Sequence, residues 1–207
     1  MKFSSSLLEN AVNEFSKLPG VGKKTALRFV LYLLKQEEIQ STQLGDTIKK
    51  LRNEIQFCTK CFNVSDAALC KICSSDIRKK RQVCVVESIR DVMAIEATEQ
   101  FNGTYHVLGG VISPLDGIGP DKLQIHSLIE RVKTDEVEEI IMALSPTIEG
   151  DTTTYFIAKK LKEYPVKITT LSRGVAFGGE LEYADELTLA RSFMNRLPLE
   201  NVVNTNL

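Results

Sequence analysis

Cys58, Cys61, Cys70 and Cys73 stand in the pattern C-x2-C-x8-C-x2-C. Each C-x2-C knuckle supplies two thiolates, and four sulfurs at about 2.3 Å in a tetrahedron are what a structural zinc ion takes. With all four ligand positions filled by protein, the metal has no open site and holds structure instead of doing chemistry. An iron–sulfur cluster draws on the same ligands, but paired x2 knuckles in a short ribbon favour zinc. Disulfides are the weaker explanation, because the N-terminal residues do not read as a secretory signal. The fifth cysteine, Cys84, lies inside QVCVVE and reads as a buried strand residue.

A second group of chemical interest is LPGVGKKT, Leu18 to Thr25. A nucleotide-binding P-loop would need a glycine where Lys17 stands and a hydroxyl where Lys24 stands, and it would follow a buried strand. Here SLLENAVNEFSKL places Leu7, Leu8, Val12, Phe15 and Leu18 at helical spacing, with Ser4 to Ser6 as N-caps and Pro19-Gly20 as the stop. KKTALRFVLYLLK then resumes a helix with Ala26, Phe29, Val30 and Leu33 on one side. The element is therefore helix, tight turn, helix. Gly20 and Gly22 let the backbone come close to a ligand, and the first N–H groups of the second helix can point at a phosphate. Lys23, Lys24 and Arg28 add positive charge beside them. This is the arrangement of a helix-hairpin-helix that grips DNA phosphates without reading bases. The plainer alternative is an ordinary helix corner with solvated lysines.

The third group is acidic. Glu87 closes VCVVE, and Glu149 and Asp151 lie in SPTIEGD after a later strand. Carboxylates from neighbouring strand ends can share Mg2+, whose hard charge prefers oxygen ligands. The alternative is that Glu87 and Asp151 are helix-start acids, Asp151 standing where an N-cap would.

The elements that must carry these residues are legible in outline. DTIKKLRNEIQF predicts a third helix with Leu44, Ile48, Leu51 and Ile55 facing inward. Arg78 to Arg81, RKKR, is either a phosphate contact or a solvated connector. Beyond it, strands at VCVVE, TYHVLGG, VEEIIMAL and VKITTL alternate with helices at 88–98, 122–133 and 151–164. That alternation predicts a mostly parallel α/β sheet covered by helices, with function at the carboxyl ends of the strands. Residues 108–123, LGGVISPLDGIGPDKL, form a long Gly/Pro loop of the kind that carries function. The expected division is 1–56 for the hairpin region, 57–77 for the four-cysteine zinc module, 78–172 for the α/β domain and 173–207 for a C-terminal segment with a Gly-rich loop, a helix and a tail.

Composition narrows the partners. The chain of 207 residues is 43% hydrophobic, and no apolar run approaches the roughly 20 residues of a membrane helix. A cytoplasmic location is expected. The net charge of −1 conceals an asymmetry, because residues 1–81 hold 15 Lys and Arg against 8 Asp and Glu, whereas residues 82–207 hold 11 against 19. A basic front half suits a polyanion, and an acidic back half suits metal or a basic partner.

The order LPGVGKKTA, C-x2-C-x8-C-x2-C, VCVVE, YHVLGGVISPLDGIGP, SPTIEGD and GGELEYADELTL resembles the RecR recombination mediator family over residues from about 5 to 197. The resemblance implies a helix-hairpin-helix front, a zinc module, a Toprim domain and a C-terminal helical segment. It also implies a role in recombinational DNA repair, with RecO-type and in many lineages RecF-type partner proteins, loading recombinase at single-stranded gaps. Ring-shaped tetramers able to encircle DNA are implied as well. The family's DNA contacts fall on Lys23, Lys24 and Arg28, its zinc ligands on the four cysteines, its Toprim glutamate on Glu87, and its later acidic pair on Glu149 and Asp151. The chain departs from the family's H-G-x-P-x-G-G at Arg173 to Gly179, where Arg and Ala replace His and Pro. Any nucleotide or partner contact ascribed to that histidine is thereby open.

A non-catalytic DNA clamp is the first expectation. The alternative is a Mg2+-dependent Toprim nuclease or topoisomerase-like enzyme, with Glu87 as general acid/base and metal on Glu149 and Asp151. Of the five tyrosines, none has a separate domain to deliver it to DNA as a nucleophile. A protein-only scaffold is the third option, and the basic hairpin argues against it.

Overall fold

The computed structural model describes residues 3–172, 174, 175, 178, 180–196 and 198. Two compact units divide the chain, residues 1–55 and residues 56–207.

The first unit contains α1 (Ser6–Phe15), α2 (Lys23–Leu33) and α3 (Glu38–Glu54). The Ser5 hydroxyl caps α1 by accepting from the Leu8 N–H. Val12 packs against Ala26 and Val30 to close the hairpin, with Phe15, Leu8 and Leu27 around them. Two expectations need correction. Phe29 does not face the interior; it is 38% exposed and meets Phe15 edge-on at 6.3 Å. The third helix begins eight residues earlier than DTIKK suggests, and none of its side chains is buried. Leu44, Ile48 and Leu51 lie at the surface because the α1–α2 pair closes its own small core without them.

The second unit opens on a short hairpin, β1 (Gln56–Phe57) and β2 (Val64–Ser65), followed by the single turn α4 (Lys71–Ser74). The α/β domain follows as β3 (Lys79–Val86), α5 (Ile89–Glu96), β4 (Gly103–Val107), α6 (Ile125–Thr134), β5 (Glu139–Met142), α7 (Ile148–Leu161) and β6 (Lys167–Thr170). The four strands pair in parallel in the order β4-β3-β5-β6, as βαβ alternation requires. A last helix, α8 (Glu186–Met194), is capped by Asp185.

Period-two alternation assigns each strand residue to a face. Val83, Val85, Ile140 and Met142 pack with Leu128 of α6 and Ile157 and Leu161 of α7. Cys84, Val86, Tyr105 and Val107 face the other way, against Val92 of α5 and, from the cysteine module, Phe62 and Ile72. Cys84 is thus the core residue its sequence context predicts, and burial pushes its thiol up to about 12. His106 is buried, and its Nε2 N–H donates to the Gln124 carbonyl at 2.7 Å. Burial holds its imidazole down to about 4, which keeps it neutral.

Three of the four cations of the basic run at 78–81 are paired with acids, and Lys79 is exposed. Arg78 makes a fork with Glu96 and reaches the carbonyls of Phe101 and Gly103, and Arg81 pairs with Glu136 and Glu138. Lys80 pairs with Asp76.

Candidate nucleic-acid interface and metal centre

The cysteine module folds around its own sulfurs. In the first knuckle the Phe62 N–H donates to the Cys58 carbonyl at 2.9 Å, which bends the chain enough to bring Cys61 beside Cys58. Phe62 takes φ +62°, the left-handed region where a bulky residue is an outlier. In the second knuckle Cys70 caps α4 and accepts from the Cys73 N–H. The four sulfurs are buried and all lie within 4.8 Å of one another, with Cys61 and Cys70 Sγ 3.5 Å apart. A tetrahedron with metal–sulfur bonds of about 2.3 Å has edges of about 3.8 Å, so the donor set fits a zinc ion. Hydrogen bonds from the neighbouring thiols, Cys61 first, and the charge of Arg131 draw the Cys73 thiol below its ordinary value, while the hydrogen bond to Cys73 raises Cys61 and burial raises Cys70.

This module is fastened to β4. The Val107 N–H donates to the Cys61 carbonyl at 2.8 Å, the Phe62 ring meets His106 edge-on at 5.4 Å, and Lys60 pairs with Asp135 at 2.8 Å. From α6 the buried Arg131 donates to the Tyr105 carbonyl at 2.6 Å and to Thr104 Oγ1 at 2.7 Å.

At the hairpin, Gly20 takes φ +79°, a conformation open to glycine, and carries the chain from α1 to α2. Gly22 is the N-cap of α2 and has no side chain to cap with. In α1, α5, α7 and α8 a Ser, Thr or Asp oxygen occupies the first N–H groups. α2, like α3 and α6, has no side-chain cap; its first N–H groups lie beside Lys23 and Lys24, and the helix dipole adds positive potential there. Lys23, Lys24 and Arg28 are exposed, and none forms an ion pair with a described residue. Arg28 rests over the Phe29 ring at 5.8 Å.

The three acids are positioned at the carboxyl ends of the strands but are put to separate uses. Glu87 follows β3, and its Oε1 accepts from the Ser145 N–H at 2.6 Å, tying the end of β3 to the end of β5. Glu149 and Asp151 lie in the first turn of α7, whose N-cap is Thr147 and not Asp151. Asp151 is met by Arg191 of α8 at 3.4 Å. Among the described residues the cysteines are the only cluster of three or more Cys, His, Asp or Glu with donor atoms within 4.8 Å. Glu87, Glu149 and Asp151 therefore make no comparable ligand set. In the loop 108–123, Gly109, Gly110 and Gly117 take positive φ, and Ser113 and Ile118 pair across its tip. Arg173, Ala176, Phe177 and Gly179 of the departing segment lie outside the described residues, as does the tail 201–207.

Four family descriptions match consecutive stretches: RecR helix-hairpin-helix at 8–52, the RecR zinc finger domain of the four-cysteine type at 55–75, Toprim domain at 81–172 and RecR C-terminal at 174–197. The chain is 61% identical to Recombination protein RecR of Cytophaga hutchinsonii, covering 97% of this chain and 98% of that one. It is 55% identical to that of Flavobacterium psychrophilum over the full length of both, and 52% identical to that of Porphyromonas gingivalis over 98% of each. The chain belongs to the RecR family.

Several residues that shape this RecR chain carry no sequence signal of their own. Arg131 sits in a helix that reads as amphipathic, and only the fold shows it buried under β4. Phe62 occupies a knuckle position that glycine would take without strain. Gly150, inside the Toprim SPTIEGD stretch, is required for space: a Cβ there would lie 2.0 Å from the Ser145 carbonyl oxygen. Gly150→Ala is expected to cost about 1–3 kcal/mol through that overlap, read as a lower thermal midpoint. Gly45→Ala, where a Cβ meets nothing, is the control and is expected to hold or slightly raise it.

Proposed function

We propose that this RecR-family chain is a non-catalytic, DNA-binding mediator of recombinational repair. The relatives' shared name, Recombination protein, supports the process. The observation that carries the reading is the start of α2, where Gly22 supplies no side-chain cap and Lys23, Lys24 and Arg28 are exposed and form no ion pair with a described residue. Such a site takes phosphates of any sequence and leaves base edges alone. The exposed Leu44, Ile48 and Leu51 of α3 suit burial between copies of the chain, in keeping with the ring-shaped tetramer that the resemblance implies. RecO-type and RecF-type proteins are the partners, and loading of recombinase at single-stranded gaps is the task.

The Toprim acids support this reading over the Mg2+-dependent nuclease. Glu87 is engaged by the Ser145 N–H and Asp151 by Arg191, so neither is held ready beside the other to share a cation. Labelled gapped duplex DNA, followed by fluorescence anisotropy with Mg2+ present and then run on a denaturing gel, separates the two. Binding that falls steeply with salt and leaves the strands intact is expected. Cut DNA that becomes uncut in Glu87→Gln would make the chain a Toprim enzyme.

A further inference from the structure

Among the described residues Arg131 is the one buried side chain with a permanent charge. Its side chain is 4% exposed. A charge taken out of water needs an opposite charge beside it. The acid it meets is Asp135, 3.4 Å from its Nε, and Asp135 is shared, because Lys60 Nζ meets the same carboxylate oxygen at 2.8 Å. Glu130, the other acid lining the groove between α6 and the cysteine module, pairs with Lys133 at 2.6 Å. Two cations on one carboxylate leave this cluster with one positive charge in excess.

That excess lies against the cysteine module. Lys60 stands between Thr59 and Cys61 in the first knuckle. Arg131 holds Thr104 and Tyr105 of β4, the strand whose Val107 N–H meets the Cys61 carbonyl. Lys60, Arg131 and Asp135 line one groove there with Thr59 and Phe62. The charge of Arg131 also reaches Cys73, where it adds to the lowering that begins with the Cys61 hydrogen bond. A zinc ion with four thiolates carries two negative charges, and in a buried site salt screens them little. Arg78 lies near the module as well, but both oxygens of Glu96 take it in a fork, and that pair is neutral.

We propose that Arg131 is a positioning residue for the zinc: with Lys60 it supplies the counter-charge that a four-thiolate zinc site needs, and so sets how tightly the module holds its metal. The inference rests on the zinc reading of the four cysteines and goes beyond the ligand set, since neither cation supplies a ligand atom. Groups outside the ligand set change metal affinity by roughly 10- to 100-fold. An Arg131 that only tied α6 to β4 would act through its hydrogen bonds and not through its charge. Substitution separates the two roles.

Zinc affinity of the full-length chain is read by competition with a chromophoric chelator. Arg131→Met keeps the apolar stem and removes the charge, and it is expected to weaken zinc binding roughly 10- to 100-fold. Arg131→Lys keeps the charge and loses the fork of donors, so it should hold zinc within about threefold of the unmodified chain while its thermal midpoint falls. Lys60→Met removes the same unit of charge at a partly exposed position, and is expected to weaken zinc roughly 3- to 30-fold, with Lys60→Arg restoring it. Should Arg131→Met fail to fold, the Lys60 pair decides alone. Zinc held as tightly by the methionine variants as by the unmodified chain would overturn the proposal. Equal weakening in Arg131→Met and Arg131→Lys, or in Lys60→Met and Lys60→Arg, would also overturn it, because the effect would then belong to hydrogen bonds and packing. A chain that holds no zinc even unmodified would remove the metal reading and this one together.

Discussion

Cys58→Ser is expected to strip the metal from the chain and unfold the module from residue 57 to residue 74. The serine hydroxyl stays protonated at neutral pH and is a poor ligand for an ion that prefers thiolate. Three remaining sulfurs would be left buried and close together with no cation between them. Structural zinc in small modules is worth on the order of 10–16 kcal/mol at neutral pH, which equals or exceeds the whole stability of many domains. The two-residue strands β1 and β2 and the one-turn α4 cannot hold the module without it, since elements that short have almost no stability of their own. Elemental analysis should read about one zinc per chain in the unmodified protein and a small fraction of that in the variant. Unchanged zinc content would show that Cys58 is not a ligand. Hydrogen exchange at the Val107 amide, which donates to Cys61, should quicken in the variant, because the fastening to β4 is lost with the module.

Lys23→Glu combined with Lys24→Glu is expected to weaken DNA binding on the order of 100-fold at low salt, equally for all sequences. A hydrogen bond to a charged group is worth about 1.5–3 kcal/mol, and two such contacts are replaced by repulsion. The exponent relating affinity to salt concentration should shrink by about one for each phosphate contact removed on a chain. Both positions are exposed at the start of α2, so the variant should keep its zinc and its thermal midpoint. Sequence-selective binding that ignores salt would instead place recognition away from the hairpin.

Local period and spacing made much of this legible. The alternation of QVCVV assigns Val83 and Val85 to one side of the sheet and Cys84 and Val86 to the other, because a strand turns each successive side chain over. The knuckle spacing marks the metal ligands because two residues are what a chain needs to return a second sulfur to the same ion. Contacts made across the chain left no such mark. Glu87 meets the backbone of Ser145, 58 positions away, and nothing in either segment forecasts the meeting. α3 failed in the opposite sense: Ile48 and Leu51 keep helical spacing, but the surface they would pack on is not supplied by α1 and α2. Asp151 misled because the true cap, Thr147, lies four residues earlier, ahead of an Ile-Glu-Gly turn that looks like loop.

The fastening of the cysteine module to β4 has a consequence for solubility. β4 is an edge strand, and its outward polar groups would otherwise be a template for pairing with another chain. Three of them are occupied: the Gly103 and Tyr105 carbonyls accept from Arg78 and Arg131, and the Val107 N–H donates to the Cys61 carbonyl. Without zinc the two arginines are expected to stay, held by Glu96 and Asp135, and the Cys61 carbonyl is expected to leave with its module. Chelation would thus unmask the carboxyl end of a hydrophobic strand at the moment Phe62 leaves the face beneath it. Metal loss in this protein then becomes an aggregation event, and the zinc serves as a guard on the sheet's open border.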